Sequence, residues 1–230
     1  MPRLLEAEGL VLNRTPAGEH HLRLKLLTPA HGLLTALLRE SRAKRTGRRS
    51  KTTAPATQPD VFDHAAVMLE PPAPGAAHGS VYFVREYKVV RRHAGLGLRY
   101  PALTAASALA NLVGRHAAHF ETCAPVFALC LQAFAALDEG APPDAVHLKA
   151  LFLLARAEGY PAREQWLPML SDEDRAVALA VLNHPAAAAT LLPAADLARL
   201  PHLLRACEHW LAEHTDLDPA EIRRKSRQPS

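Results

Sequence analysis

Cysteine, aromatic side chains and long apolar runs are all scarce in this chain, and each scarcity removes a class of explanation. Three cysteines, Cys123, Cys130 and Cys207, occur in 230 residues. An odd number with no CxxC pair supports neither a disulfide framework nor a thiolate zinc site, and it suits a reducing compartment. Cys123 and Cys130, seven apart, read as two turns of one helix packed on one face. Aromatic residues make up 5% of the chain, so some of Tyr82, Phe83 and Tyr87 are needed for core rather than for stacking bases. No apolar run approaches the roughly 18–20 residues that span a bilayer, and the opening MPRLLEAEGLVL carries acids where a secretion signal needs an apolar stretch. A cytoplasmic location without membrane contact is expected.

Catalytic signatures are missing as well. The chain contains no GxSxG, GxxxxGK[ST], HExxH or GxGxxG, and Gly95-Leu96-Gly97 lacks the third glycine of a dinucleotide loop. Thirteen histidines include the groupings His20-His21, His116/His119 and His209/His214, but none supplies the four converging ligands of a zinc centre. Asp172, Glu173 and Asp174 stand at a helix start, where acids complement the macrodipole. The expectation is a binding protein with no catalytic residue, no metal, no cofactor and no small-molecule substrate.

What the chain does have is positive charge in one place. Residues 1–92 carry 15 Lys and Arg against 8 Asp and Glu, while residues 93–230 carry 12 against 15. The densest stretch, RESRAKRTGRRSK from Arg39 to Lys51, holds seven cations and one acid. Such a run serves solubility or lies along a phosphate backbone. Its position between strand-like segments favours the second use.

The first ninety residues read in period two. Leu22, Leu24 and Leu26 alternate with Arg23 and Lys25, which buries leucines and presents cations. Further strands are expected at Gly9–Asn13, Leu33–Leu38, Val61–Leu69 and Val81–Val90, separated by turns such as Pro29-Ala30-His31-Gly32. At period two Phe83 and Tyr87 share one face of the last strand and Tyr82 takes the other. Five antiparallel strands are the count of an oligonucleotide-binding (OB) barrel, whose closure removes exposed edges.

From about residue 93 the spacing turns helical. Leu103, Ala106, Ala110 and Val113 form one apolar stripe, and Val126, Cys130, Phe134 and Leu137 another. A third helix starts near Asp144 as N-cap and stops at Gly159-Tyr160-Pro161. Ser171 with Asp174 resembles a capping box opening a fourth, which ends before His184-Pro185. The last helix covers roughly Pro201 to His214. The expected organisation is α+β: an OB barrel over 1–92, a helical domain over 93–217 and a basic, disordered tail over 218–230.

The order of these elements, with several local phrases, resembles the bacterial RecO recombination mediators. The carriers are EGLVLNRTPAGEHHLRLKLLTPAHGLLTALLRESRAKR with its Gly18-Glu19 turn and His31-Gly32, then VYFVREYKVVRRHAGLGLRYPALTAASALANLV with Ala105-Ala106-Ser107, then PVFALCLQAFAALDEG and HLKALFLLARAEGYP. The likeness covers about residues 6–161. Many members place a four-cysteine zinc element after the GYP position; here AREQWLPMLSDEDRAVALAVLNH stands instead, as in zinc-less members.

The resemblance implies a non-enzymatic DNA-repair and recombination protein of the RecF pathway, in the cytoplasm with the nucleoid. It would bind single- and double-stranded DNA without sequence specificity and anneal complementary strands. With RecR it would help load RecA onto strands coated by single-strand-binding protein (SSB). Expected DNA contacts are Arg23, Lys25, Arg39, Arg42, Lys44, Arg45, Arg48, Arg49 and Lys51. Arg115, Lys149 and Arg156 are candidates to receive the acidic C-terminal tail of SSB. Two other readings of the residues remain open: a helical interaction scaffold with a solvated basic loop, and an RNA-binding OB protein.

Overall fold

The computed structural model describes residues 4–39, 58–72, 81–118, 120, 122–217 and 219. It divides into two compact units, Met1–Arg92 and His93–Ser230.

The first unit contains five strands, β1 (Leu5–Pro16), β2 (His21–Thr28), β3 (Gly32–Arg39), β4 (His64–Glu70) and β5 (Tyr82–Arg91). They close into a barrel in the order β1-β2-β3-β5-β4, with β4 returning to β1. All neighbours are antiparallel except β3 and β5, which close the barrel in parallel over Ala36–Tyr82 and Leu37–Phe83. An OB-type barrel therefore precedes the helices, as alternation and strand count predict. Leu22, Leu24 and Leu26 point inward against Val11, Leu34, Ala36, Ala65, Val67, Leu69 and Val84. Each fully buried leucine or valine among them contributes about 1.5–3 kcal/mol relative to exposure. The turn after β2 is pinned by Thr28, whose hydroxyl donates to the Gly32 carbonyl (2.9 Å) and accepts from the His31 amide (3.1 Å).

Two features depart from the period-two reading. The strand expected from Val61 begins only at His64, because Phe62 adopts a left-handed backbone (φ 71°) and ends a turn. In β5 the register against β4 shifts: Leu69 faces Val84 but Met68 faces Glu86, leaving Arg85 as an extra residue. One extra residue exchanges the faces beyond it. Tyr82 and Tyr87 therefore both pack against the barrel core, and Phe83 alone of the three points outward, 45% exposed. The expectation that Phe83 and Tyr87 share a face is thus corrected by a β-bulge.

The second unit is helical: α1 (Tyr100–His116), α2 (Ala124–Asp138), α3 (Pro143–Ala157), α4 (Ala162–Gln165), α5 (Asp172–Asn183) and α6 (Ala194–His214). α3 buries nine of its residues, among them Leu148, Leu151, Phe152 and Leu154, and contacts α1, α2 and α6. Val126, Cys130, Phe134 and Leu137 are buried in α2 as expected. Cys123 is the residue before that helix rather than part of it. All three thiols are free and buried; burial pushes Cys130 and Cys207 up to about 12, which keeps them protonated and inert.

Helix ends follow the sequence in some places and not in others. Gly159 has φ 82° and the Tyr160 amide donates back to Ala155, closing α3. Ser171 accepts from the Asp174 amide at 3.2 Å and opens α5. Asp144, by contrast, is not the N-cap: Pro142 holds that position and Asp144 lies in the first turn. α6 starts seven residues before Pro201, which sits inside it. The buried stripe Leu200, Leu203, Leu204, Cys207, Trp210 and Leu211 continues past the proline, so burial outweighs the lost backbone bond. The expected 218–230 tail lies outside the described residues apart from Pro219.

The C-terminus of α2 is closed from a distance. Arg99 donates to the carbonyls of Leu137 and Asp138, and the Gly95 amide donates to the Asp138 carboxylate at 2.7 Å. A Cβ at position 95 would stand 2.7 Å from Asp138 Oδ1 and 2.9 Å from its backbone oxygen. Gly95→Ala is therefore expected to cost about 1–3 kcal/mol, the usual range for overpacking. Urea unfolding followed by helical circular dichroism should show a lower midpoint with native helicity intact at zero denaturant.

Candidate nucleic-acid interface

Alternation along β2 and β3 gathers the described cations of the predicted set on one wall. Arg23 lies opposite Leu37, Lys25 opposite Thr35 and Arg39 opposite His21. Arg23, Lys25 and Arg39 are all exposed. Arg23 and Arg39 are diagonal neighbours, roughly 7–8 Å apart between α-carbons. On the far side of β2, Thr15 faces Arg23 and Asn13 faces Lys25, so short polar side chains extend the wall. The remaining predicted contacts, Arg42, Lys44, Arg45, Arg48, Arg49 and Lys51, lie outside the described residues.

Three acids of the barrel stand beside basic side chains. Arg85 pairs with Glu70, and Glu8 stands 3.4 Å from His64. Asp60 is 3.7 Å from Arg14. Among the described residues Arg23, Lys25 and Arg39 form no ion pair.

The residues that re-enter the described chain after the basic segment are clamped to the barrel by a network sequence reasoning did not find. Arg14 donates to the Pro59 carbonyl (3.0 Å) and Arg92 to the Gln58 carbonyl (2.7 Å). The carboxylate of Asp63, wholly buried, accepts from Arg92 Nε (2.8 Å), Arg92 Nη2 (2.6 Å), the Tyr87 hydroxyl (3.1 Å) and the Asp60 amide (2.8 Å). Its backbone carbonyl accepts from the Val11 amide, and the Phe62 amide donates to Val11. The hydrogen bond to Asp63 raises the Arg92 guanidinium further above its ordinary value. Burial first, then the charge of Asp63 and the bond to it, push the Tyr87 phenol well above 10.0. No single-residue signal marks Asp63; only pairing of distant strands brings its donors together.

In the helical unit, Lys149 and Arg156 share a face of α3, two turns and about 10 Å apart along the axis. The Lys149 ammonium donates to the carbonyls of Val181 (3.3 Å), Leu182 (2.9 Å) and His184, closing the end of α5; burial pushes it below its usual value. Lys149 also edges an apolar groove of about 350 Å³ lined by Leu129, Ala133, Ala136, Val146, Ala150 and Leu153. Arg156 is exposed, and Arg115 is half-buried in the last turn of α1. After the Gly159-Tyr160-Pro161 stop the chain has α4, a 3-10 turn (Leu167–Met169) and α5. Among the described residues no group of three or more His, Cys, Asp or Glu could hold a metal, and no helix is long and apolar enough to cross a membrane.

Residues 1–64 match the family model described as Recombination protein O N terminal. The matched stretch contains β1, β2 and β3, hence the whole cationic wall. The match supports a RecO-type N-terminal domain in this chain, and with it a role in DNA recombination and repair. No curated protein matches the chain.

Two outcomes test the clamp. Asp63→Ala should destabilise the barrel by about 3 kcal/mol, the low end for breaking a buried pair because Arg92 keeps access to water; denaturant unfolding measures it. The raised Tyr87 phenol means that the folded state favours the neutral form. Its contribution is therefore present below the unfolded value near pH 10 and lost as pH rises beyond it. Urea midpoints between pH 8 and 11 should fall more steeply for the natural chain than for Tyr87→Phe.

Proposed function

We propose that this chain, with its N-terminal domain of the recombination protein O family, binds single- and double-stranded DNA through the outer wall of β2 and β3 without reading sequence, and anneals complementary strands. The observation that carries the reading is the convergence of Arg23, Lys25 and Arg39 on one face inside the stretch matched to the family. Arg42, Lys44, Arg45, Arg48, Arg49 and Lys51 extend the charge along the chain from that face. Cations that neutralise phosphates release counterions and so supply affinity that is independent of base identity. Screening of two backbones on one surface lets complementary strands approach, which is the physical basis of annealing. The chain does this by binding alone, with no bond made or broken.

In the same reading the protein works in the cytoplasm on SSB-coated strands, with RecR, to load RecA. The apolar groove between α2 and α3 would take the apolar end of an SSB tail; because Lys149 is bonded to the carbonyls that close α5 and Glu139 also lines the groove, the tail's acids are assigned to Arg156, further along α3, and to Arg115 on α1.

Arg23, Lys25 and Arg39 changed together to Ala should weaken single-strand binding and reduce the slope of log K against log salt by about two units, at roughly 0.7 per phosphate contact. Fluorescence anisotropy across a salt series measures this, and annealing of complementary oligonucleotides with and without SSB follows the consequence. An unchanged slope removes these three residues from the interface.

A further inference from the structure

We propose that Phe83 is a stacking platform on which this barrel seats one unpaired nucleobase, making it the residue that favours single strands over duplex. The inference rests on the nucleic-acid reading above and adds a base contact to a surface otherwise described by phosphate contacts alone.

The three aromatic side chains of β5 are separated by the bulge at Arg85. Tyr82 and Tyr87 turn into the barrel, and Tyr87 is further held by its bond to Asp63. Phe83 is left on the outside. An exposed phenylalanine is by itself unremarked on a protein surface; its neighbours give it meaning. Strand pairing places it in a continuous outward row, Thr15–Arg23–Leu37–Phe83–Glu70, that crosses the wall. Leu37, half-buried, stands between Phe83 and Arg23. Two strand spacings, roughly 10 Å, separate the backbones of Phe83 and Arg23, a span that the long Arg23 side chain covers when a base lies on the ring and its phosphate turns toward β2. Arg39 sits two residues along β3 from Leu37 and can meet the next phosphate. On the other side the acid of the row, Glu70, is drawn into its pair with Arg85, so it does not oppose an anionic backbone.

This arrangement has a sign. A base in a duplex has both faces covered by its neighbours, whereas a single strand offers a face at little cost. Cations alone act on both forms; a ring beside them adds affinity only to the unpaired one. Every base has such a face, so the preference carries no sequence code.

Binding is to be measured by anisotropy with three probes of equal length: a thymidine oligonucleotide, the same backbone with abasic sites, and a duplex. The natural chain should prefer thymidine to the abasic strand. Phe83→Ala should weaken thymidine binding between about 5-fold and 150-fold, the range for loss of one stacked base, with abasic and duplex binding and the salt slope unchanged. Phe83→Trp should restore the preference, with indole fluorescence changing on thymidine and not on the abasic strand. Phe83→Leu keeps the apolar cover and should behave as Ala, which separates lost stacking from lost folding. Equal weakening on thymidine and abasic strands, or none, overturns the stacking role while salt-dependent binding through Arg23, Lys25 and Arg39 still stands. If the natural chain binds none of the probes, the nucleic-acid reading falls and this proposal with it.

Discussion

The barrel depends on a single buried carboxylate. Asp63 is wholly inaccessible, and an ionised carboxylate in that position is tolerable only if its oxygens are satisfied. The donors come from three places: the Asp60 amide within the turn, the Tyr87 hydroxyl on β5 and the Arg92 guanidinium just beyond β5. Satisfying one acid thus joins the turn before β4 to the last strand. The same turn is held to β1 by reciprocal backbone bonds at Val11, which lets Phe62 keep its left-handed conformation. A β-branched or aromatic residue in that region is costly unless its surroundings fix it. Here they do, and the cost is repaid by the seat it gives Asp63.

The helical unit uses charge in a related way, to close helix ends that local sequence leaves open. The last carbonyls of a helix need donors. At α2 they come from Arg99, at α5 from Lys149. At the start of α5 the relation inverts: Glu173 and Asp174 meet Arg199 of α6, and the hydrogen bond from Arg199 holds the Asp174 carboxyl below the usual carboxylate range. Glu173 and Asp174, which the sequence places where they complement the macrodipole, thus also join two helices. Lys149 shows why a cation's presence on a helix says little about its use: its ammonium already faces three carbonyls.

What was legible in the sequence is what depends on neighbours along the chain. Alternating leucines on β2, the Pro29–Gly32 turn, the Gly159-Tyr160-Pro161 stop and the Ser171 cap are all decided within a few residues, and a closed five-stranded barrel followed by helices emerges from them. What was not legible depends on partners far away. The bulge at Arg85 is set by the register of β5 against β4, and it reverses the face of Tyr87. The α6 helix runs through Pro201 because its apolar stripe finds a core on both sides of the proline. Asp63 is an ordinary acid until β5 is laid beside it. At the candidate interface, period two was enough to place Arg23 and Lys25 on one side of β2, while the company of Phe83 required the parallel closure of β3 on β5.

The two ends of the 40–57 stretch, which holds the six other predicted contacts, bear on how the interface works. Arg39, before it, is paired across from His21 on the cationic wall. Gln58 and Pro59, after it, are bonded to Arg92 and Arg14. Connectivity alone then bounds where charge can be delivered: a cation six residues from Arg39 lies within roughly 21 Å of it, at no more than about 3.5 Å per residue. In the proposed reading the cations of this stretch supply phosphate contacts and no base readout. A surface made this way suits a ligand whose constant feature is its phosphate spacing. In the proposed reading Phe83 on the barrel wall supplies the contact that distinguishes an open strand from a closed one.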